Sequence, residues 1–440
     1  MSQQITIIGG GLAGSEAALQ LAQRGYEVKL WEMRPGTRTE AHQSDDFAEL
    51  VCSNSLKSIR LDTGAGLLKA EMRILGSILL DIAEKCKVPA GHALAVDREL
   101  FAKAVTTCLE THPNIRIIRK EACELPPGKV ILATGPLTSD PMMRHLREIL
   151  GEDQLFFFDA IAPIIDADSI DSDIVYPKAR YDKGEADYLN CAFDRDQYYT
   201  FVEALMTAEK HEAREFENEF FRSDKFSFYE NCMPIEELAR RGRDTLRHGV
   251  MRPMGLELPS TGKKAFAVLQ LRAENNDFSA YNLVGCQTML RYPEQKRVFR
   301  LIPGLATASF LRFGSIHRNS YLNSPKVLNP DLSLKDRHDV WVAGQLSGVE
   351  GYAECIAHGM LIARIIAGEI ESLPPETILG QIWRRLLTDP PKSTFSPVNA
   401  NFGILPGLDD NVRDKKLKRE MLSKRALDKL LECHPDPLEQ

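Results

Sequence analysis

The sequence predicts an α/β fold in which two distant segments of the chain build one parallel sheet. Three observations support this prediction. The chain opens with a short apolar strand, a glycine-rich turn and a helix within residues 5–25. Two further apolar strand patterns, at 130–135 and 340–345, each run into a glycine, which is typical of buried parallel strands. Between them, aromatic residues and short alternating stretches become more frequent, which indicates an inserted α/β domain.

The first unit of the fold is a strand, a turn and a helix, followed by a second strand. Ile5–Ile8 is apolar, Ser15–Arg24 favours a helix that ends at Gly25, and Glu27–Glu32 predicts the second strand. The turn has the G-x-G-x-x-G spacing and consists of Gly9, Gly10, Gly11, Leu12, Ala13 and Gly14. An ordinary glycine-rich turn is the alternative, but the strand, the helix and the second strand together favour a dinucleotide-binding unit.

These residue types suit the two ends of a dinucleotide. Glycines let the backbone approach a pyrophosphate, and the free N–H groups and dipole of the helix N-terminus attract its negative charge. Seventeen residues separate Gly14 from Glu32, which places an acidic side chain at the end of the second strand. A carboxylate there can accept hydrogen bonds from a ribose diol.

Two later segments favour FAD as the dinucleotide. Val130–Gly135 and Val340–Gln345 resemble strands of the two-segment FAD-binding Rossmann fold of glutathione-reductase-like flavoproteins. The common form of the second segment has Gly-Asp where this chain has Gly344 and Gln345, and that departure matches the flavin-dependent tRNA-modifying proteins. We therefore expect Gly344, Gln345 and Gly351 to contact the same FAD as the N-terminal glycines.

The predicted domains follow from this split. Residues 1–160 are the first part of the FAD-binding domain, 161–315 the inserted substrate- and RNA-binding domain, and 316–440 the second part of the FAD-binding domain. Within the insert, the stretch KAFAVLQLR at 264–272 alternates as a strand does. A basic helix over 411–432 ends the chain, either as an RNA-binding surface or as a solvated surface helix.

Composition excludes several classes of protein. The chain has 440 residues, is 43% hydrophobic, and has neither a signal segment nor an apolar run of the roughly 18 residues that a membrane span needs. We therefore expect a cytoplasmic protein. Nine cysteines without a CxxC pair argue against a disulfide framework, a zinc site and a thioredoxin-type pair, so no metal is expected. Since the net charge is −7, nucleic acid must bind at a local basic patch.

Six longer motifs carry a resemblance to a known family. They are GGGLAGSEAA, CSNSLKS, GHALAVDRELF, NCMPIEELARRGRDTLRHGVMRP, LRFGSIHRNSYLNSP and AGQLSGVEGYAECIAHG. Together they resemble the TrmFO family of folate- and FAD-dependent tRNA (uracil-5-)-methyltransferases, over residues 5 to about 367. The resemblance implies transfer of the methylene group of 5,10-methylenetetrahydrofolate to the T-loop uridine of tRNA, which becomes ribothymidine. It implies reduced FAD as carrier and reductant, NADH or NADPH as electron source, the T arm as RNA partner and no obligate protein partner.

Such chemistry requires a nucleophilic cysteine, because carbon 5 of uracil becomes nucleophilic only after a thiolate adds to carbon 6. Cys232 precedes the densest basic cluster of the chain. Positive charge favours a thiolate, and arginines also bind phosphates. The cluster consists of Arg240, Arg241, Arg243, Arg247 and Arg252. The alternative is a small core cysteine followed by a solvated helix face, and the resemblance favours catalysis.

Cys52 lies in a polar segment about twenty residues after the second strand. The segment can cover the flavin at the crevice outside the strand ends, where such folds bind ligands. We predict one amphipathic helix from Ala65 to Cys86 that holds it rigidly. The resemblance implies that Cys52, like Cys232, is catalytic, and two roles remain open: protection of a flavin adduct or removal of the proton from carbon 5.

His317 is a predicted folate contact, since an imidazole beside the isoalloxazine can sandwich a pterin ring. A hydrogen-bonded core histidine is the alternative, and the resemblance favours the folate role. Arg312, Arg318 and Asn319 are predicted to meet polar parts of folate or RNA.

Other functions remain open from sequence. A GidA-like subunit that modifies wobble uridines shares the flavin fold but is longer and needs a GTPase partner. The same methylation of a ribosomal RNA uridine would use the same motifs. A flavin-containing tRNA-binding protein without catalysis is the third alternative.

Overall fold

The structure is a computed structural model that describes residues 3–39, 41–151, 155–160, 162–182, 186–210, 233–275, 277–314, 316–389, 395–408 and 412–434. Its strands are β1 Gln4–Ile8, β2 Glu27–Glu32, β3 Ser55–Ser58, β4 Lys87–Val88, β5 Ala93–Val96, β6 Ile115–Arg119, β7 Val130–Leu132, β8 Leu155–Ala160, β9 Ile164–Asp166, β10 Tyr176–Pro177, β11 Tyr188–Phe193, β12 Ala267–Ala273, β13 Ala280–Leu283, β14 Phe310–Arg312, β15 Ile316–Tyr321, β16 Ser333–Leu334 and β17 Arg337–Val342. Its α-helices are α1 Leu12–Gln23, α2 Gly64–Ile74, α3 Ile78–Lys85, α4 Arg98–Thr111, α5 Asp140–Leu150, α6 Arg195–Thr207, α7 Ile235–Arg240, α8 Thr245–His248, α9 Tyr292–Phe299, α10 Ser324–Val327, α11 Tyr352–Ile366, α12 Ile378–Leu387 and α13 Lys415–Cys433.

Six strands form the main sheet, in the order β16-β17-β7-β1-β2-β6. The pairs from β17 to β6 run parallel, and only β16 is antiparallel to its neighbour. β7 pairs with β1 on one side and with β17, from the last third of the chain, on the other. Two distant segments of the chain therefore build one sheet, which confirms the predicted fold class.

Two helices lie close together beside the glycine turn. A Cβ on Gly359 of α11 would overlap the backbone of Ala13 in α1, so only glycine permits this separation. Around them, fully buried apolar side chains from β1, α1, β7 and β17 form the large core. Each such aliphatic side chain contributes about 2 kcal/mol by leaving water. This packing fixes the start of α1 relative to both segments of the sheet.

The inserted part has its own antiparallel sheet, in the order β10-β11-β12-β13-β9-β14. Its buried side chains, among them Phe193, Phe201 and Phe299, form a second core. β12 begins at Ala267 within the predicted alternating stretch. Two antiparallel strands, β8 and β15, connect the insert to the main sheet and pair from Leu155 opposite Tyr321 to Ala160 opposite Ile316.

The single helix predicted from Ala65 to Cys86 is wrong, because the structure has two helices there. α2 ends at Ile74 and α3 begins at Ile78. Gly76 between them has φ +66°, a left-handed conformation that ends a helix. The buried carboxylate of Glu16 then accepts the N–H groups of Ile78 at 3.0 Å and of Leu79 at 2.7 Å, which caps the new helix.

None of the described helices combines the length and apolar character that crossing a bilayer requires. Likewise, the described residues contain no group of His, Cys, Asp or Glu side chains arranged to hold a metal ion.

Candidate active site

The glycine turn between β1 and α1 has room for a side chain at Gly11 but not at Gly9 or Gly14. Gly9 has φ +105°, and a Cβ there would overlap the backbone of Ala133. A Cβ on Gly14 would overlap the carbonyl of Gly9. Gly11, the residue that precedes α1, has φ −75° and would direct a Cβ into open space. The turn thus leaves a cradle at Gly11, where no side chain of the described residues caps the N-terminus of α1.

Glu32 faces this cradle from the end of β2. Its Oε2 accepts the N–H of Gly10 at 3.0 Å, and its Oε1 accepts the N–H and Nε–H of Arg34 at 3.1 and 2.9 Å. Burial alone would raise the pKa of Glu32, but the hydrogen bonds and charge of Arg34 outweigh it and lower the pKa. Arg34 also contacts Glu49 at 3.1 Å. Glu32 therefore remains an ionised acceptor next to the turn.

A cavity of about 1040 Å³, part of it open to solvent, extends from the glycine turn. Both segments of the FAD-type fold line it. The wall residues include Trp31, Glu32, Arg34, Lys120, Thr134, Pro136, Gly344, Gln345, Tyr352 and Cys355. The glycine turn, Glu32 and the Gly344–Gln345 turn are therefore parts of one site.

A buried histidine supports the second of these turns. His358 of α11 accepts the N–H of Gly344 through Nδ1 at 3.0 Å. Complete burial lowers the pKa of His358 to about 3, so the ring stays neutral and Nδ1 can accept. Gln345 donates to Glu350 at 2.6 Å. Gly351, with φ +117°, then starts α11 and leads directly into Tyr352 of the cavity wall.

These features fit FAD. The cradle is free of side-chain atoms at Gly11, an ionised carboxylate lies where a ribose would be, and one cavity joins the two segments. The diphosphate would meet the start of α1, the ribose Glu32, and the ring system the walls at Thr134 and Gln345.

Cys52 lies beside this cavity. Its neighbour Val51 lines the wall, and its own N–H donates to the hydroxyl of Tyr352 at 2.7 Å. The thiol is half-buried. The polar segment thus lies next to the cavity wall at Val51 and Tyr352.

Two other predicted residues cannot be placed in the site. Cys232 lies outside the described residues. The backbone of His317 belongs to β15, where it pairs with Asp159 of β8, but its side chain lies outside the described part of the structure. The same holds for the side chains of Arg318 and Asn319. Arg312 is described, and its guanidinium donates to the carbonyls of Ala41 and Val51 at 3.1 and 2.9 Å.

The predicted arginine cluster surrounds α7 and α8 on the insert, and several of its charges have acidic neighbours. Arg240 lies 3.8 Å from Glu237, Arg243 3.0 Å from Glu203, and Arg247 3.7 Å from Asp244. Arg241 and Arg252 are exposed. The cluster remains accessible to phosphates, but its positive potential is smaller than the sequence alone indicates.

The basic helix α13 has a different arrangement. Its first six residues, 415–420, are all exposed, and its buried face begins only at Leu422. Asp414 caps the helix by accepting the N–H groups of Lys416 and Leu417. Within the described part of the chain, Arg413, Lys415 and Lys418 have no ion pair. The start of α13 is therefore a projecting positive surface.

Sequence reasoning missed several residues that shape the site. Arg98 and Tyr352 contact Cys52 across 46 and 300 positions of the chain, which neither spacing nor periodicity indicates. Arg34 and His358 contact Glu32 and Gly344 over only 2 and 14 positions, and neither pairing was predicted. The only signal was that Arg98, Tyr352 and His358 lie within the longer motifs quoted above.

Comparison with known proteins shows the family of the chain. The sequence model of the family described as Glucose inhibited division protein A matches residues 4–374. A protein of Brevibacillus brevis, named methylenetetrahydrofolate--tRNA-(uracil-5-)-methyltransferase TrmFO, is 51% identical over 97% of this chain and 98% of its own length. A Bacillus subtilis protein of the same name is 48% identical over the same shares. The chain belongs to the TrmFO family.

The comparisons also distinguish the TrmFO family from the longer GidA proteins. The structure of Aquifex aeolicus GidA superposes with a TM-score of 0.68 at 15% identity and covers 98% of this chain but 74% of GidA. That likeness shows a common GidA-type FAD-binding fold. The end-to-end match to TrmFO proteins, by contrast, assigns the chain to an enzyme family of tRNA (uracil-5-)-methyltransferases.

Proposed function

We propose that this protein methylates carbon 5 of the T-loop uridine of tRNA, with 5,10-methylenetetrahydrofolate as one-carbon donor, FAD as carrier and reductant, and NADH or NADPH as electron source. The observation that carries the proposal is the match, over nearly the whole chain, to proteins named for this reaction. The cavity supports it, because its glycine cradle, Glu32 and the second-segment turn fit FAD.

Bound FAD supplies the reducing electrons and a carrier for the one-carbon unit. The residues of this chain would hold it by three means: the backbone at Gly9–Gly14 would accommodate the diphosphate, Glu32 would accept from a ribose, and Gly344, Gln345 and Gly351 would form the turn beside the ring system. Neutral His358 holds the Gly344 N–H, which keeps that turn in place.

Two thiols perform the chemistry on uracil in this proposal. The thiolate of Cys232 adds to carbon 6 and makes carbon 5 nucleophilic toward the one-carbon unit. Loss of the proton from carbon 5 then allows the thiolate to leave, which restores the ring, and the two electrons that FAD would supply reduce the transferred methylene group to methyl. Cys52 lies beside the cavity, where it removes that proton or protects the one-carbon carrier. His317 contributes a folate contact.

The RNA partner is the T arm of tRNA, bound by phosphate contacts from the arginine cluster around α7 and α8. We place the reaction in the cytoplasm, since the eight described cysteines are all free thiols. The proposal includes no membrane and no obligate protein partner.

A trapping experiment tests the thiol roles. With a T-arm RNA that contains 5-fluorouridine, the fluorine cannot leave as a proton does, so the normal enzyme stalls as a covalent adduct on its nucleophile. We expect Cys232→Ala to retain FAD and its reduction by NADPH, but to give neither ribothymidine nor adduct. Cys52→Ala should also lose turnover, yet still form the adduct once the one-carbon carrier is loaded.

The readout is mass spectrometry of the adduct peptide, with Cys123→Ala, an exposed cysteine of the same chain, as matched control. An adduct peptide that contains Cys52 would exchange the two roles. Normal methylation by Cys232→Ala would reject the nucleophile assignment. Parallel assays with tRNA and ribosomal RNA transcripts and labelled folate identify the RNA substrate.

A further inference from the structure

The loop that carries Cys52 is held by side chains at three of its carbonyls and two of its N–H groups. We define the Cys52 loop as residues 50–54, which lie outside regular structure up to Asn54. The Cys52 N–H donates to the hydroxyl oxygen of Tyr352 at 2.7 Å, and the Ser53 N–H donates to the same oxygen at 3.2 Å. A phenol oxygen has two lone pairs, so it can accept both N–H groups.

The carbonyls of the Cys52 loop are held from the other side by two arginines. Arg98 donates to the carbonyls of Leu50 and Cys52, the second at 3.4 Å, and is itself fixed by an ion pair with Glu274 at 2.8 Å. Arg312 of the insert donates to the carbonyl of Val51 at 2.9 Å. Both guanidiniums therefore lie close to Cys52, and burial and the charge of Arg98 lower the pKa of Arg312.

The next two residues are anchored to the insert. Arg272 of β12 donates to the hydroxyl of Ser53 and to the side-chain oxygen of Asn54, both at 2.8 Å. Asn54 donates in turn to the carbonyl of Ala273 at 3.0 Å. The loop therefore joins the FAD-binding part of the chain to the insert.

We infer that Tyr352 is a positioning residue for Cys52. Its hydroxyl accepts the N–H groups of Cys52 and Ser53, which belong to the two peptides that flank Cys52, and Arg98 also holds the carbonyl of the second peptide. With both peptide planes held, the sulfur can move only by rotation about its own side-chain bond. Since Tyr352 also lines the FAD cavity, one side chain sets the distance between that cavity and the Cys52 thiol.

This inference rests on the proposed catalytic role of Cys52, so its test needs a readout that does not depend on methylation. Tyr352→Phe removes the acceptor oxygen and keeps the ring against the cavity. Hydrogen exchange, read by mass spectrometry on a peptide that spans 50–54, should show the Cys52 and Ser53 amides exchanging at least tenfold faster. The iodoacetamide labelling rate of Cys52, relative to exposed Cys123, should rise at least fivefold.

The kinetic expectation is a kcat at least tenfold lower, with the KM for tRNA and the bound FAD changed less than twofold. Tyr26→Phe is the matched control, because the Tyr26 hydroxyl donates to the carbonyl of Ile366 at 3.1 Å, away from the loop. It should leave amide exchange, the labelling rate, kcat, KM and bound FAD unchanged. Unchanged exchange in Tyr352→Phe overturns the inference, and so does faster exchange with a normal kcat. If Cys52→Ala methylates normally, the proposed function of Cys52 fails instead, and the exchange data still report on the loop.

Discussion

At the scale of single residues, Gly11 separates binding from folding. Its φ of −75° is accessible to any residue, and a Cβ there meets nothing within 4 Å. Gly11→Val should therefore lower the stability of the apoprotein by no more than about 1 kcal/mol, the usual loss at a poor helix-capping residue. The valine would fill the cradle, so we expect at least tenfold weaker FAD binding. Measurements are the flavin absorbance of purified protein and the melting of apoprotein.

Gly14→Ala provides the contrast, because its methyl group would overlap the Gly9 carbonyl. We expect it to destabilise the apoprotein by about 1 to 3 kcal/mol, the range typical of overpacking. Full FAD retention in Gly11→Val would contradict the assignment of the cradle.

The sequence predicted part of this site at residue resolution. The G-x-G-x-x-G turn and Glu32 lie together at the cavity, because spacing within one strand-turn-helix unit determines where they meet. The support of Gly344 depends on His358, 14 positions later in the chain, and that of the Cys52 N–H depends on Tyr352, 300 positions later. Contacts of that kind follow from tertiary packing, which no local pattern encodes.

At the scale of elements, buried carboxylates that cap helices make stability depend on pH. Glu71 of α2 accepts the N–H groups of Ile378 and Leu379 at 2.7 and 2.9 Å, at the start of α12. Burial raises the pKa of Glu71 from its ordinary value of 4.5 to about 8, although both hydrogen bonds oppose the shift. Between these values the folded protein keeps a proton that the unfolded chain has lost.

The sign of the effect follows from that difference. Below pH 4.5 Glu71 is protonated in both the folded and the unfolded state, and its contribution to the free energy of unfolding is complete. That contribution is lost as the pH rises toward 8, by at most about 1.4 kcal/mol per pH unit. We expect Glu71→Gln, which cannot ionise, to show a weaker loss of stability than the wild type between pH 5 and 8 in urea unfolding. Exposed Glu371→Gln is the control. Parallel curves for wild type and Glu71→Gln would show that Glu71 does not carry this dependence.

Helices and strands with a strong local sequence pattern were predicted, whereas a helix end that depends on a distant side chain was not. β1, β2, β7 and α1 were predicted to within a few residues, because buried parallel strands and small-residue helices leave strong local patterns. The break between α2 and α3 was missed, since its hydrophobic face continues across Gly76 while the cap comes from Glu16 on α1.

At the scale of the whole molecule, positively charged surfaces lie on a chain whose net charge is negative. The net charge is −7, yet the start of α13 projects several cations with no buried face beneath them, while acidic neighbours partly compensate the arginine cluster. The hydroxyl of Ser423 on α13 donates to the carbonyl of Leu61, which follows the Cys52 loop by a short stretch of chain. α13 therefore contacts the segment that leads away from the candidate active site.

We expect both basic surfaces to contribute to tRNA binding, and the salt dependence of affinity measures how much. Neutralising Lys415, Lys418 and Arg419 together, or Arg240, Arg241 and Arg243 together, should weaken binding and reduce the slope of log K against log salt by about 0.9 for each phosphate that the protein no longer neutralises. Changing the exposed lysines 103, 129 and 335 to glutamine alters net charge equally and should leave the slope unchanged. Bound FAD should stay constant in all three triple variants.

Because Lys415 and Lys418 lack carboxylate partners among the described residues, the α13 triple variant should show the larger decrease in slope. A slope that survives both sets of changes would make each surface a solvated face and would place the RNA elsewhere on the molecule.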